Sequence, residues 1–334
     1  AMTIPVLRAF SAAYPNVRIS FLSKPFLKPM FSELPNIQFI AADVKGEHRG
    51  IWGLFKLFFQ LKAMNLDAVL DVHNVLRSIF LRNLFRCSFV KVATIDKGRK
   101  EKRALTRPKN KIFRQLKSTH ERDSDVFRKL GYSFDLSHPV FPEKKKLTPN
   151  IIKHTGEKET QWIGIAPFAQ YNSKMYPLEK MKTVIKELAR NQDIRIFLFG
   201  GGAKEVEVLT AISNQNEHTV CMAGKLGLDE ELLLISHLDV MLSMDSGNGH
   251  FAAMYGVPTI TIWGVTHPYT GFAPFQQPDN HALTPDLTRF PLIPCSIYGN
   301  KVYEGYEHVM DTISPEQVVQ KIDEILNSSA KTID

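Results

Sequence analysis

Cysteine is scarce in this 334-residue sequence: only Cys87, Cys221 and Cys295 occur, far from one another. That excludes a disulfide framework and the paired spacing of a zinc site, and it fits a reducing compartment. No apolar run approaches the roughly 20 residues needed to cross a bilayer, because Lys56, Lys62, Arg77, Arg82 and Arg86 interrupt the greasiest stretch. A signal-peptide pattern is also missing, so a cytoplasmic location is expected. There is no repeat of solenoid length and no long low-complexity tract. No acidic cluster has metal-ligand spacing, so no metal is expected. Nor does any RNA- or DNA-binding motif accompany the basic charge, so nucleic acid is not expected as a partner.

What is present is an ordinary globular composition, 44% hydrophobic and 23% charged. The length exceeds what a single core usually supports, so two domains are expected. The net charge of +8 is unevenly spread: residues 1–150 hold 28 Lys/Arg against 12 Asp/Glu, and the remainder 14 against 22. One half is therefore composed to meet anions, unless its charge is only a solvated surface.

Apolar, β-branched segments alternate with segments of helical period, the signature of βαβ units and a mainly parallel sheet. Strands are expected at Arg18–Leu22, Ile37–Ile40, Ala68–Val72, Val90–Thr94, Trp162–Ala166, Ile194–Phe199, His218–Met222, Val240–Ser243 and Thr259–Trp263. Helices are expected between them, the first over Thr3–Ala13. Pro139, Pro142, Pro149, the Lys144–Lys146 run and Gly156 break both periodicities, which puts a boundary near residue 150. The domains expected are 1–150 and 151–334. Ser314-Pro315-Glu316-Gln317 reads as a capped start of a final helix.

Three local patterns could carry chemistry. In Met241–Pro258 an apolar strand runs into the turn Asp245-Ser246-Gly247-Asn248-Gly249-His250 and a short helix, so the turn falls at the carboxyl end of a strand, where open α/β sheets bind ligands. Its glycines allow close backbone approach and its amides suit an anion such as a diphosphate. The same residues could equally be helix caps. Lys174 follows the strand ending at Ala166 and could neutralise phosphate as a point charge. Phe199-Gly200-Gly201-Gly202-Ala203-Lys204-Glu205 imitates a dinucleotide fingerprint without its third glycine, a weak signal for a nicotinamide enzyme. Glu205 there could accept ribose hydroxyls or favour a helix start by its charge.

Taken in order, these segments resemble glycosyltransferase family 9, the ADP-heptose:lipopolysaccharide heptosyltransferases. The most specific stretch runs from Asp245-Ser-Gly-Asn-Gly-His250 through Gly256-Val-Pro258 to Gly264-Val-Thr266-His-Pro268. Lys174 with Tyr176-Pro177, Gly201-Gly202-Ala-Lys-Glu205 and Ala223-Gly224-Lys225-Leu226 agree with further family elements. The resemblance implies an α/β fold of the GT-B type, two Rossmann-like doubly wound domains facing across a cleft, with the donor held by the second. It implies an inverting transfer of a heptose or related sugar from an ADP-activated donor, with no cofactor. Lys174, Ser246, Gly247 and His250 would contact the diphosphate, Glu205 the ribose, and Leu226 the base or ribose pocket. Asp245 would organise the turn, because a carboxylate beside phosphates repels them.

Two departures from the family pattern matter. Asp71-Val-His73-Asn74 replaces an Asp-x-Gln-Gly element, suggesting a different acceptor. Thr3–Ala13 matches the family's first helix, so the strand and Gly-Asp turn that precede it, with the expected general base, would fall upstream of Ala1. A chain impaired in transfer but able to bind donor is the expectation, with His73 as reserve base. A non-catalytic sugar-nucleotide-binding protein, or a family member using another sugar and acceptor, are the alternatives.

The basic residues between Lys97 and Arg128 would suit an anionic, lipid-linked glycan acceptor at the cytoplasmic membrane face, with Arg107, His120 and Arg122 the residues expected to meet it. The apolar, lysine-bearing segment Ile51–Lys62 reads first as a core helix of the first sheet, with a membrane-interface helix as the alternative.

Overall fold

The computed structural model describes residues 1–34 and 36–330; Pro35 and residues 331–334, the last four of the expected second domain, lie outside the described residues. Two compact units emerge. One comprises Met2–Arg99 and Lys117–Val140, and the other Lys100–Leu116 with Phe141–Asp334 and Ala1. The segment Lys100–Leu116 thus belongs with the later residues, which a single cut near residue 150 does not describe.

The first unit contains helix α1 (Thr3–Ala13), strands β1 (Ile19–Ser23) and β2 (Ile37–Ala41), α2 (Gly50–Lys62), β3 (Ala68–Asp71), α3 (Leu76–Cys87) and β4 (Lys91–Thr94). It closes with α5 (Thr119–Arg128), reached through α4 (Arg99–Thr106), most of which lies in the other unit. Its strands pair two by two, β1 with β2 and β3 with β4, both parallel, and no described strand joins the pairs. Leu57, Phe58 and Leu61 of α2 pack with Leu81 and Phe85 of α3 against side chains of both strand pairs. Phe10 of α1 packs against Phe127 of α5, ring centroids 4.4 Å apart.

The second unit opens with α6 (Pro149–Thr155) and continues through β5 (Gln161–Ala166), α7 (Leu178–Leu188), β6 (Ile194–Leu198), α8 (Ala203–Ser213) and β7 (Thr219–Cys221). It then runs through α9 (Leu228–Ser236), β8 (Val240–Met244), α10 (Gly247–Ala253), β9 (Thr259–Ile262), β10 (Ala282–Leu283) and α11 (Pro315–Ala330). Its six strands form one parallel sheet in the order β10-β9-β8-β5-β6-β7. β8 is buried along its whole length and β5 at all but its first residue, as strands covered by helices on both faces must be. The chain steps from β5 outward to β6 and β7, then returns to lay β8 on the other side of β5. The strand order therefore reverses between β5 and β8, and the loops at their carboxyl ends splay apart there. Ser314 opens α11 with a reciprocal cap: its Oγ accepts the Gln317 amide and its amide donates to Gln317 Oε1.

The segment Lys100–Leu116 is sewn onto this second unit by named bonds. Lys111 Nζ donates to Leu292 O at 2.8 Å and Pro294 O at 2.9 Å, and the Leu116 amide to Tyr269 O at 3.0 Å. Tyr303 Oη donates to Thr106 O, and Leu105 is wholly buried.

Candidate functional site

The reversal between β5 and β8 carries the residues picked out from the sequence. Lys174 ends a single 3-10 turn after β5, and Asp245, Ser246, Gly247 and His250 lie at the β8-to-α10 turn. Lys174 Nζ stands 3.0 Å from Asp245 Oδ2, with both side chains about nine-tenths buried. The same oxygen accepts the Thr266 hydroxyl at 2.9 Å. Asp245 is thus fastened to the loop after β5 and to the loop after β9.

Neither Asp245 nor Ser246 caps the helix. Ser246 is the N-cap residue of α10, yet its side chain makes no cap bond, and its Oγ is buried with no hydrogen-bond partner among the described residues. A buried hydroxyl held away from the nearest amides is ready for a ligand's acceptor atom. Because α10 has only seven residues, its dipole is small. Attraction for an anion at this point rests on Lys174, the Ser246 hydroxyl and the turn amides.

Two adjoining cavities open here. One, of about 270 Å³, is lined by Lys174, Asp245 and His250 together with Gln170, Phe272 and Tyr298. The other, of about 330 Å³, is lined by Phe168, Phe199, Gly200, Gly201, Glu205 and Glu231. Both include Gln170, Ser246 and Gly247, so the Ser246–Gly247 turn forms the sill between them. Together they offer the room of a small-molecule site, which the first does not reach alone.

Glu205 lies in the first turn of α8, and its Oε2 accepts the Gly201 amide at 2.8 Å, closing its own glycine loop. Its carboxylate lines the second cavity. Burial pushes the neighbouring Glu231 carboxyl upward from its ordinary range. Leu226 packs against the core on one sheet face and lines neither cavity. The two glycines of the turn differ. A Cβ on Gly247 would meet nothing within 4 Å, whereas one on Gly249 would lie 2.4 Å from Ser243 Oγ. Gly249 therefore seats α10 on β8 instead of admitting a ligand.

Several lining residues carried no sequence signal. Phe272 and Tyr298 come from the long irregular stretch after β9, their ring centroids 5.7 Å apart. Lys102 of α4 lies over the Phe272 ring, 4.4 Å from its centroid. Gln170, between the Pro167-Phe168 turn and Lys174, could have been suspected from its place in a loop already singled out. No group of three His, Cys, Asp or Glu suited to a metal occurs among the described residues.

The three residues expected to meet an acceptor do not form one surface. Arg107 is exposed, with Nε donating to Asn110 O, in the segment that joins the second unit. His120 and Arg122 sit on α5 of the first unit at 4% and 5% exposure. Arg122 donates to Lys117 O and Asp96 O, and its guanidinium lies where a Cβ on Gly98 would have to be. Burial depresses the His120 imidazole to about 4. In this conformation both residues brace the fold and offer nothing to a surface anion. His73 is exposed on the turn after β3, where Asp71 Oδ1 accepts the amides of His73 and Asn74. Asp71 itself is paired with Arg82 at 2.8 Å.

Comparison with known proteins fits this geometry. Residues 54–288 match the profile of Glycosyltransferase family 9 (heptosyltransferase). The chain belongs to that family. Among curated relatives, the lipopolysaccharide core heptosyltransferase OpsX of Haemophilus influenzae is 25% identical over 83% of this chain and 78% of its own length. The lipopolysaccharide heptosyltransferase 3 of Escherichia coli is 23% identical over 79% of each chain. Among solved structures, a glycosyl transferase family 9 protein from Veillonella parvula superposes with a TM-score of 0.74 at 20% identity, covering 98% of this chain and 93% of that one. The E. coli heptosyltransferase WaaC with ADP gives 0.68 at 18%, covering 97% and 95%. The fold of this family-9 glycosyltransferase is accordingly GT-B, built from two Rossmann-like units.

Proposed function

We propose that this protein moves a heptose, or a closely related sugar, from an ADP-activated donor to an anionic, lipid-linked acceptor of the lipopolysaccharide inner core, inverting the anomeric centre. The observation that carries the reading is the pair of cavities joined at Ser246–Gly247, with a cation at one end and a carboxylate at the other. A nucleotide sugar has the matching order: vicinal ribose hydroxyls for Glu205, a diphosphate for Ser246, the turn amides and Lys174, and a pyranose beyond. Phe272 and Tyr298 offer flat apolar faces to that pyranose, while Gln170 offers its amide to the hydroxyls. The name of OpsX and the ADP in the WaaC structure support the choice of acceptor and nucleotide.

In the transfer, an acceptor hydroxyl oxygen forms a bond to the anomeric carbon as the bond to the distal phosphate breaks, its electron pair staying on ADP. Negative charge grows on the departing phosphate, so Lys174 and the Ser246 hydroxyl stabilise the transition state more than the ground state. The hydroxyl proton needs a base. His73 is the candidate to test, because partial desolvation of its imidazole by the surrounding turn, and then the charge of Lys97, hold it below its usual range and leave it neutral and able to accept near pH 7 although the residue is exposed. Calorimetry with ADP followed by turnover of ADP-heptose on a matched acceptor tests the reading. Absence of ADP binding overturns it, and binding without turnover leaves a sugar-nucleotide-binding protein.

A further inference from the structure

Helix α2 is apolar on both faces. Gly53, Leu57, Phe58 and Leu61 are buried, yet Ile51 is 55% and Trp52 81% exposed. The expected core helix therefore explains only half of it. Rings of α2 and α3 meet in parallel order: Phe55 lies 5.2 Å from Phe80, and Phe58 lies 5.0 Å from Phe85. The amino ends of the two helices consequently lie at one end of the unit, bringing Trp52 beside the start of α3, where Leu76 is 85% exposed. Phe26, 64% exposed, follows β1 at the carboxyl end of that strand. Leu76 likewise follows β3, and Ile51 and Trp52 follow β2, so all four apolar side chains crown the carboxyl ends of parallel strands.

Cations are interleaved with them on the same loops: Lys24 after β1, Arg49 after β2, Arg77 after β3 and Lys97 after β4. Side chains of both strand pairs, Leu22 and Ile40 with Val69 and Val92, pack in one core with α2 and α3. None of these four cations is in an ion pair among the described residues. The acids nearby are occupied: Asp43 accepts the amides of Lys45 and Gly46, Glu47 pairs with Lys56, and Asp96 accepts the Gly98 amide. Exposed aromatic and aliphatic side chains alternating with unpaired cations at one edge match the acyl and headgroup layers of an anionic bilayer. No described helix is long and apolar enough to cross a membrane, so contact would be confined to the interface.

We propose that this edge of the first unit docks on the surface of an anionic phospholipid bilayer, with Trp52, Leu76, Ile51 and Phe26 entering the interface and Lys24, Arg49, Arg77 and Lys97 meeting headgroups. The proposal does not depend on the donor reading. Trp52 supplies its own reporter, because the other two tryptophans, Trp162 and Trp263, are wholly buried. Adding phosphatidylglycerol–phosphatidylethanolamine vesicles to the full chain should shift its emission to the blue, and phosphatidylcholine vesicles should not. In co-sedimentation, Trp52→Ser with Leu76→Ser, or Arg49→Gln with Arg77→Gln, should lower partitioning at least about tenfold. Phe59→Ser with Phe89→Asn removes apolar groups that are 63% and 98% exposed at the opposite ends of the helices, and should change it less than about twofold. All four positions of the serine and asparagine variants are exposed, so unchanged circular dichroism is expected for each. Three results would overturn the proposal: no binding to anionic vesicles, which would leave a protein as the partner of this edge; equal binding to phosphatidylcholine; or loss of binding on changing Phe59 and Phe89 instead of Trp52 and Leu76.

Discussion

Removing the Lys174 ammonium deprives a bound diphosphate of its cation and leaves the Asp245 carboxylate, buried on all but its cavity side, with Thr266 as its remaining bonded partner. Lys174→Met should therefore weaken ADP binding about tenfold or more and also cost about 1–3 kcal/mol of stability, less than a sealed buried pair because the cavity admits water. Calorimetry and chemical denaturation read the two effects separately, and full ADP affinity in this variant would remove Lys174 from the site. Asp245→Asn keeps an acceptor for Thr266 but frees Lys174 and removes a charge that repels phosphate, so ADP should bind more tightly. Weaker binding would mean that Asp245 chiefly aims the lysine. A different titration governs stability. Asp123 is buried between α5 and α1, accepts the Thr3 hydroxyl, and has its carboxyl pushed up to about 7 by burial. The folded state then holds a proton that the unfolded chain has released, so stability falls as pH rises from about 4 to about 7 and levels off above. Asp123→Asn should flatten that slope and gain about 2–4 kcal/mol at pH 8 relative to pH 4, as measured by denaturant titration.

Between elements, the glycines of the β8–α10 turn separate fold from site. Gly249→Ala drives a methyl group to 2.4 Å from Ser243 Oγ in a buried contact and should cost about 1–3 kcal/mol, while Gly247→Ala meets nothing and should leave stability within about 0.5 kcal/mol. The new methyl at Gly247 points into the space shared by the two cavities, so its effect should appear as weaker ADP binding; the opposite assignment of the two defects would reverse the roles. The pattern of legibility follows from the same elements. α1 begins and ends where the apolar period placed it, and β5, β6, β8 and β9 lie within a residue or so of their apolar runs. A helix was expected between β3 and β4, but α3 was given no bounds, because Arg77, Arg82 and Arg86 dilute its apolar period; Arg82 turns inward to Asp71 and Asn74, which a sequence cannot display. In the site, Lys174, Ser246, Gly247, His250 and Glu205 belong to short motifs whose strand fixes them, so reading the strand finds the residue. Phe272, Tyr298 and Glu231 reach the cavities only by long-range folding, and the burial of His120 and Arg122 depends on contacts that leave no periodic trace.

For the whole molecule, the charge asymmetry is redistributed by the fold. The unit of Met2–Arg99 and Lys117–Val140 holds 18 Lys/Arg against 10 Asp/Glu, and the other unit 24 of each. The difference from the two sequence halves arises largely because Lys100–Leu116, with seven Lys/Arg and one Glu, joins the second unit. There it brings Lys102 to the aromatic wall of the 270 Å³ cavity. It also satisfies groups that would otherwise be stranded: the carbonyls of Leu292 and Pro294 receive Lys111, and the Tyr303 hydroxyl is bonded to Thr106. Burial lowers the Lys111 ammonium to about 8, a cost tolerated for two charge-assisted bonds. A fragment of residues 141–330 should therefore be incomplete, exposing the apolar seat of Leu105 and unfolding at a lower temperature than the second unit does within the full chain. A synthetic peptide of residues 100–116 binds only the folded fragment in this account, so it should raise the melting temperature with its concentration, stabilising the fragment by about 2.7 kcal/mol at a hundred times its dissociation constant. A peptide with Lys111→Met should restore less. If the bare fragment melts as high as the full chain, or if neither peptide shifts it, Lys100–Leu116 is an ornament on the second unit and not part of its core.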